Sequence, residues 1–468
     1  MHCFARPTCL TILLAAGACG GTTTDSIVDP PPPPPPPPQV AAASVKIQAV
    51  ADTLRQMQTV QLAVTALNAS GQAITNASLS WTSLDERVAT VDAKGVIVPR
   101  KPGSTRIVVR SGTASDTTRV SVKLHWLDIV LSRAIIGACG IAGDSTAYCW
   151  GNADLVGAQT PPARPIEVPG GRAFRTITVA GTTACALTGA GEAFCWGTNA
   201  NGELGNGETA SSVSATPMPV KSNGIRFTQI ASDLGWVCGL STTGVVYCWG
   251  ANGYGQQGAT TPAKILTPTV VPGVPRATKV SVGYATGCAV IVDGRVFCWG
   301  SDIWGQLGRG TLGGVASGGS ILSDFTFKDV AMHLNGGCAA STSGGVYCWG
   351  VQGGAVSAST PQLYPNTLDF ASIVIGDSNR CGQTPSGTKC WGDNSLGQLG
   401  IGDATPGIGP QLIPNTTSFV KLTAGSNAAC ALTTSGAAYC WGSNAQGQLG
   451  DGTTTTRKSP TKVLDPAS

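Results

Sequence analysis

The tripeptide Cys-Trp-Gly recurs seven times, starting at Cys149, Cys195, Cys248, Cys298, Cys348, Cys390 and Cys440, at intervals of 46, 53, 50, 50, 42 and 50 residues. A period near 50 with several short β runs per unit is the pattern of a β-propeller. One unit cannot bury both of its faces, and stacking units around an axis covers them. The repeat predicts an all-β ring of seven blades over residues 124–468. Composition excludes much else. With 12% charged residues, 63 Gly and 30 Pro, the chain suits neither a coiled coil nor a charge-rich helical enzyme. Its 29 basic and 25 acidic residues give a formal charge of +4, too balanced for a nucleic-acid footprint.

Each unit carries a second cysteine, giving the pairs Cys139 and Cys149, Cys185 and Cys195, Cys238 and Cys248, Cys288 and Cys298, Cys338 and Cys348, Cys381 and Cys390, and Cys430 and Cys440. Six pairs are ten residues apart and one is nine. A hairpin with a three-residue loop at Gly189-Ala190-Gly191 is flanked by Thr188 and Glu192, and three steps back it sets Cys185 opposite Cys195. In the nine-residue case a two-residue loop at Pro385-Ser386 absorbs the deletion, so Cys381 still faces Cys390. Both land on non-hydrogen-bonded sites, where Cα atoms lie about 4.5 Å apart, within disulfide reach. One hairpin disulfide per blade follows, worth roughly 2–3 kcal/mol each by chain entropy. Metal binding is the rival reading, but CxxC pairs are absent and the chain has only three His, so no metal and no cofactor are expected.

The N-terminus predicts export. Cys9 to Ala18 is an apolar core behind Arg6, too short to span a bilayer and suited to a cleaved signal over residues 1–18. Ala16-Gly17-Ala18-Cys19 resembles the lipobox of bacterial lipoproteins, which implies a lipid anchor on Cys19. Ala16 stands where that motif usually has Leu. Residues 19–43 read as a tether, because Pro30–Pro38 adopts polyproline II and projects roughly 28 Å at about 3.1 Å per residue. From 44 to 123 apolar and polar residues alternate, as in Val60, Leu62, Val64 and Ala66, with turns at Gly71, Asn76 and Gly95. Short strands so spaced predict a β-sandwich. Trp81-Thr82-Ser83, Val88-Ala89-Thr90-Val91-Asp92, Gly95 and Pro102-Gly103 resemble group 2 bacterial immunoglobulin-like domains, which implies an immunoglobulin-like spacer.

The repeat unit FVKLTAGSNAACALTTSGAAYCWGSNAQGQLGDG resembles the regulator of chromosome condensation family. Gly-Gln-Leu-Gly stands in full at Gly305, Gly397 and Gly447, with near matches at Gly202 and Gly255 and degenerate tails after Cys149 and Cys348. The resemblance implies a seven-bladed propeller, and in that family one member is a guanine-nucleotide exchange factor for a small GTPase. Ring closure is expected from the chain's end. Ser459 to Leu464 follows the last hairpin, and the first unit has no such strand before Asp128, so this segment is expected to join the first blade.

Repeats permit an internal comparison: fixed positions serve the blade, and varying ones are free for a ligand. The Trp of each Cys-Trp-Gly is fixed and reads as core. Asn199, Asn252, Asp302, Asn394 and Asn444 share one slot and read as turn residues. Trp236, before the first Cys of its unit, and Tyr254 and Trp304, before the Gly-x-x-Gly tails, vary and form a candidate aromatic binding patch for sugar rings or peptide side chains. No catalytic constellation is legible. His125 and His333 lack a nearby nucleophile motif, and Glu203, Asp233 and Asp403 are scattered. The reading is a monomeric, exported lipoprotein at the outer membrane or cell surface, with secretion as the alternative. It touches membrane only through its anchor and binds a protein or glycan partner noncovalently. The alternatives are exchange-factor activity and an enzyme with an unrecognised site.

Overall fold

The computed structural model describes residues 38–48, 53–133, 137–352, 355–414 and 418–466. The signal, Cys19 and Pro30–Pro37 lie outside them. Among the described residues no helix is long and apolar enough to cross a membrane.

Residues 44–123 form a separate β unit. Thr53–Arg55, Ala114–Lys123, Gly103–Ser111 and Ser80–Ser83 make one sheet in that order, and Val60–Gln61, Val96–Pro99 and Ala89–Val91 make another. Along Gly103–Ser111 the residues Thr105, Ile107, Val109 and Ser111 are buried and their neighbours are not, the period-two pattern of a sheet with one dry face. Ile107, Val109 and Val120 of the first sheet share a core with Ile97 of the second. The Trp81 indole closes that core over Gly95, where a Cβ would stand 2.7 Å from the ring.

From Trp126 onward the described residues form seven four-stranded antiparallel sheets, each built from contiguous chain. The third is representative: Phe227–Asp233, Trp236–Ser241, Val246–Ala251 and Lys264–Val270, from the axis outward. All seven innermost strands line an axial channel of about 350 Å³, and the whole is a β-propeller. The second and third strands of every sheet are joined by the expected disulfide, with Cα atoms 4.0–4.1 Å apart. Thr384 pairs with Gly387 around the shortened turn and Cys381 with Cys390, so the deletion leaves the register intact.

Neighbouring sheets pack by apolar faces. Trp236, Leu240 and Val246 of the third sheet meet Val280, Val282 and Trp299 of the fourth in one buried cluster. Polar clips from the inner strands reinforce this. Asp128 accepts from the Ile177 amide at 3.3 Å, Gln229 from the Val280 amide at 3.0 Å, and Asp329 from the Ile373 amide at 3.0 Å.

Closure differs from expectation. Arg457–Lys462 pairs with Ala438–Gly442 inside the seventh sheet, and the first sheet takes its outer strand from its own chain, Ile166–Glu167. The outer strand follows the hairpin within each unit, so no strand is owed across the seam. The ring closes through side chains instead. Trp126, Tyr148 and Trp150 share a core with Leu432, Leu449 and Val463, and the Trp150 indole donates to the Gln448 carbonyl at 2.9 Å.

Candidate functional site

Strand direction alternates within each sheet. The hairpin loops between second and third strands therefore gather at one rim, and the inner-strand turns and Gly-x-x-Gly tails gather at the other. The N-terminal unit sits at the hairpin rim of the first and seventh sheets. There Gln56 accepts from the Gly143 amide at 3.2 Å. Lys101–Glu167 at 2.8 Å and Lys123–Asp465 at 3.3 Å are ion pairs across the junction. The opposite rim carries the tails.

Those tails follow one scheme. The Oδ1 atoms of Asn199, Asn252, Asp302, Asn394 and Asn444 each accept the amide five residues on, at 2.9–3.0 Å. The second tail residue accepts the amide two residues before it through its side chain: Glu203 from Asn201 at 2.7 Å, Gln256 from Tyr254 at 3.0 Å, Gln306 from Trp304 at 2.7 Å. Its own carbonyl receives the next sheet's indole, as in Trp249 to Glu203 at 2.9 Å and Trp299 to Gln256 at 3.0 Å. Glu203 stands where Gln256, Gln306, Gln398 and Gln448 stand elsewhere. It is the one carboxylate in a slot of amides.

Glu203 borders a concave pocket of about 480 Å³ between the second and third sheets, reached also by the fourth. The Thr198 hydroxyl bonds those of Thr182 at 3.0 Å and Thr183 at 2.9 Å, and Asn201 donates through Nδ2 to Glu203 Oε1 at 3.0 Å. Tyr254, 54% exposed, leans on Tyr284 with ring centroids 5.6 Å apart and planes at 43°. The hydrogen bond with Tyr254, helped by partial burial, holds the Tyr284 phenol above its ordinary range. The pocket lining contains no Lys, Arg or His.

The expected patch is thus rearranged. Tyr254 lies at the pocket. Trp304 is 50% exposed but is not part of the pocket wall. Trp236 is a correction: it is 0% exposed, packs between the third and fourth sheets, and spends its indole N–H on the Gly283 carbonyl at 3.0 Å. The Trp236 ring turns into the interface between sheets, which is why it cannot serve a ligand. Tyr284 was missed. It occupies the inner-strand turn, and extending the internal comparison two residues upstream of Thr286 would have exposed it.

The charged groups at the two channel mouths have protein partners. At the tail rim Arg133 reaches across the channel mouth to the carbonyls of Val282 at 2.6 Å and Met332, and lies 3.5 Å from Asp233. At the other mouth Lys279 pairs with Asp329 and Lys421 with Asp128. Among the described residues no group of three or more His, Cys, Asp or Glu is placed to hold a metal ion.

A model of the regulator of chromosome condensation (RCC1) repeat matches residues 190–232, 243–290 and 435–468, and a second RCC1 repeat model matches 419–448. Yeast RCC1 (Prp20), solved bound to Kap60, is similar at 19% identity with a TM-score of 0.61, over 74% of this chain and 85% of that one. Prp20p from Saccharomyces cerevisiae, whose structure was described with its binding to Gsp1p and histones, is similar at 21% identity and TM-score 0.58, over 66% and 81%. Human WBSCR16 is similar at 19% identity and TM-score 0.60, over 66% and 87%. At these identities the likeness concerns fold. The chain carries RCC1 repeats, and they build a β-propeller of the RCC1 type.

Proposed function

We propose that this chain is an exported envelope lipoprotein whose propeller, a closed ring of seven blades, is a noncovalent recognition module for a protein or glycan. In this reading the lipid on Cys19 and the polyproline run hold the molecule at the surface. The packed sheets of residues 44–123 are an immunoglobulin-like spacer. The observation that carries the reading is the pocket beside Tyr254. It is concave, carries exposed aromatic surface, and opens on the rim away from the spacer, so a tethered propeller presents it outward. The seven disulfides support an oxidising compartment. Recognition is favoured over catalysis because the pocket groups a single carboxylate with hydroxyls and amides, without a base poised on a nucleophile.

The binding of Gsp1p and histones named for Prp20p belongs to that protein, and fold alone does not carry it here. Two measurements test the proposal. Intact mass with and without reduction, after membrane fractionation of native cells, is expected to find acylated Cys19 and fourteen blocked thiols. A soluble, unprocessed chain with free thiols would overturn export and bring exchange-factor activity forward. Retention of surface polymers on immobilised protein is expected to fall in Tyr254→Ala, and equal retention by both proteins would remove the pocket from the reading.

A further inference from the structure

The pocket's chemistry narrows its ligand. We propose that it binds a neutral carbohydrate, with Tyr254 as the stacking platform and Glu203, Asn201 and Thr182 as hydroxyl partners. This rests on the recognition reading and deepens it. The volume of about 480 Å³ falls within the roughly 300–1,000 Å³ of small-molecule sites. The exposed Tyr254 ring offers an apolar face with a polar edge, the shape that a sugar's C–H face and flanking hydroxyls complement.

Charge removes the main alternatives. An anionic ligand such as a phosphate, sulfate or uronate would meet the Glu203 carboxylate in a lining without Lys, Arg or His, and the Lys264 ammonium at its edge is engaged by the Ala200 carbonyl at 2.8 Å. Glu203 is 4% exposed, and both of its described donors come from Asn201. An ionised carboxylate has about four acceptor positions, so it keeps capacity for hydroxyl donors, in charge-assisted bonds of the strong kind. A lysine side chain is the rival occupant. It would compete for the same Tyr254 face and the Glu203 carboxylate, and the lysine-rich peptide in the test below distinguishes it.

The internal repeat supplies an independent indication. The slot of Glu203 is structurally fixed, since glutamine makes the same backbone bond in sister tails. A carboxylate is not needed for that bond, yet it stands at the tail bordering this pocket.

Calorimetry on the full, disulfide-bonded chain tests this with neutral hexasaccharides of glucose and of N-acetylglucosamine, an oligogalacturonate, and a lysine-rich peptide. Saturable binding of a neutral oligosaccharide is expected, weakened at least about tenfold in Tyr254→Ala and retained better in Tyr254→Phe. Glu203→Gln, which installs the residue of the sister repeats, is expected to fold normally and to weaken binding several-fold. Melting midpoints of all three variants should match the parent. Absence of neutral-sugar binding, or binding indifferent to Tyr254→Ala, overturns the carbohydrate proposal. If the lysine peptide or the oligogalacturonate then binds in a Tyr254-dependent way, recognition stands with another ligand. If none of these probes binds and Tyr254→Ala leaves surface-polymer retention unchanged, the recognition reading fails with it.

Discussion

Two interfaces between neighbouring sheets bury the same kind of surface by different means. Between the fourth and fifth, the Gly-Gln-Leu-Gly tail sends Leu307 into the core, and the Trp349 indole donates to the Gln306 carbonyl at 2.8 Å. Between the fifth and sixth, the preceding tail lacks that motif. The apolar contacts of Ala331, Ile373, Ile375 and Trp391 persist, but polar groups intrude. His333, 4% exposed, has no hydrogen-bond partner for either ring nitrogen among the described residues, and neither Trp391 Nε1 nor Asn379 Oδ1 has one. Arg380 stands in the slot held by Ala138, Ala184, Val237, Gly287, Gly337 and Ala429 in the other units. The tail is thus not a decorative loop. It delivers one leucine and one carbonyl that make the regular interface dry and hydrogen-bonded, and where it is missing buried polar atoms are left without partners among the described residues.

The largest effect is expected where the regular interface is broken. Leu307→Ala should cost about 2–5 kcal/mol in denaturant unfolding. A loss below about 1 kcal/mol would mean that the tail leucine does not hold the fourth and fifth sheets together.

Acid should act on the irregular interface through His333. Burial, then the charges of Arg380 and Arg133, push His333 down from 6.5 to about 3. The unfolded chain therefore takes up the proton first. His333 leaves stability unaffected above pH 6.5 and subtracts about 1.4 kcal/mol per pH unit from there down to about 3. Asp233, raised by burial despite Arg133, titrates with the opposite sign, so the informative quantity is the difference between parent and His333→Gln. That difference should grow steadily below pH 6.5. Parallel pH profiles would overturn this role of His333.

The smallest contrast isolates one hydrogen bond. Trp299→Phe and Trp391→Phe leave similar voids, but only the first strips the buried Gln256 carbonyl of its donor. Trp299→Phe should cost about 1–3 kcal/mol more. Equal costs would show that Trp391 has an acceptor in the folded chain.

How far the sequence reached can be judged from the same residues. The hairpin register was legible down to the compensating deletion at Pro385-Ser386, because side-chain alternation and turn length leave one pairing for two cysteines. Trp236 and Tyr254 were not separable. Both are aromatics at varying slots, yet one side chain points between sheets and the other out of the rim. The two degenerate tails also looked alike. After Cys149 the Leu155 carbonyl still meets the Trp196 indole at 3.2 Å, whereas Trp391 has no such acceptor among the described residues.

By itself the sequence determined the repeat, the all-β ring, the disulfide pairing and the turn role of the tail asparagines, because each is a local pattern repeated with fixed spacing. Only the tertiary structure decided what meets between sheets. It closed the ring by packing rather than by an exchanged strand, brought Tyr284 to Tyr254 beside Glu203, and set His333 beside Arg380. Contacts between consecutive blades join residues about fifty positions apart, those at the closing seam join residues 298 apart as in Trp150 and Gln448, and their partners are chosen by the direction in which each side chain leaves its strand.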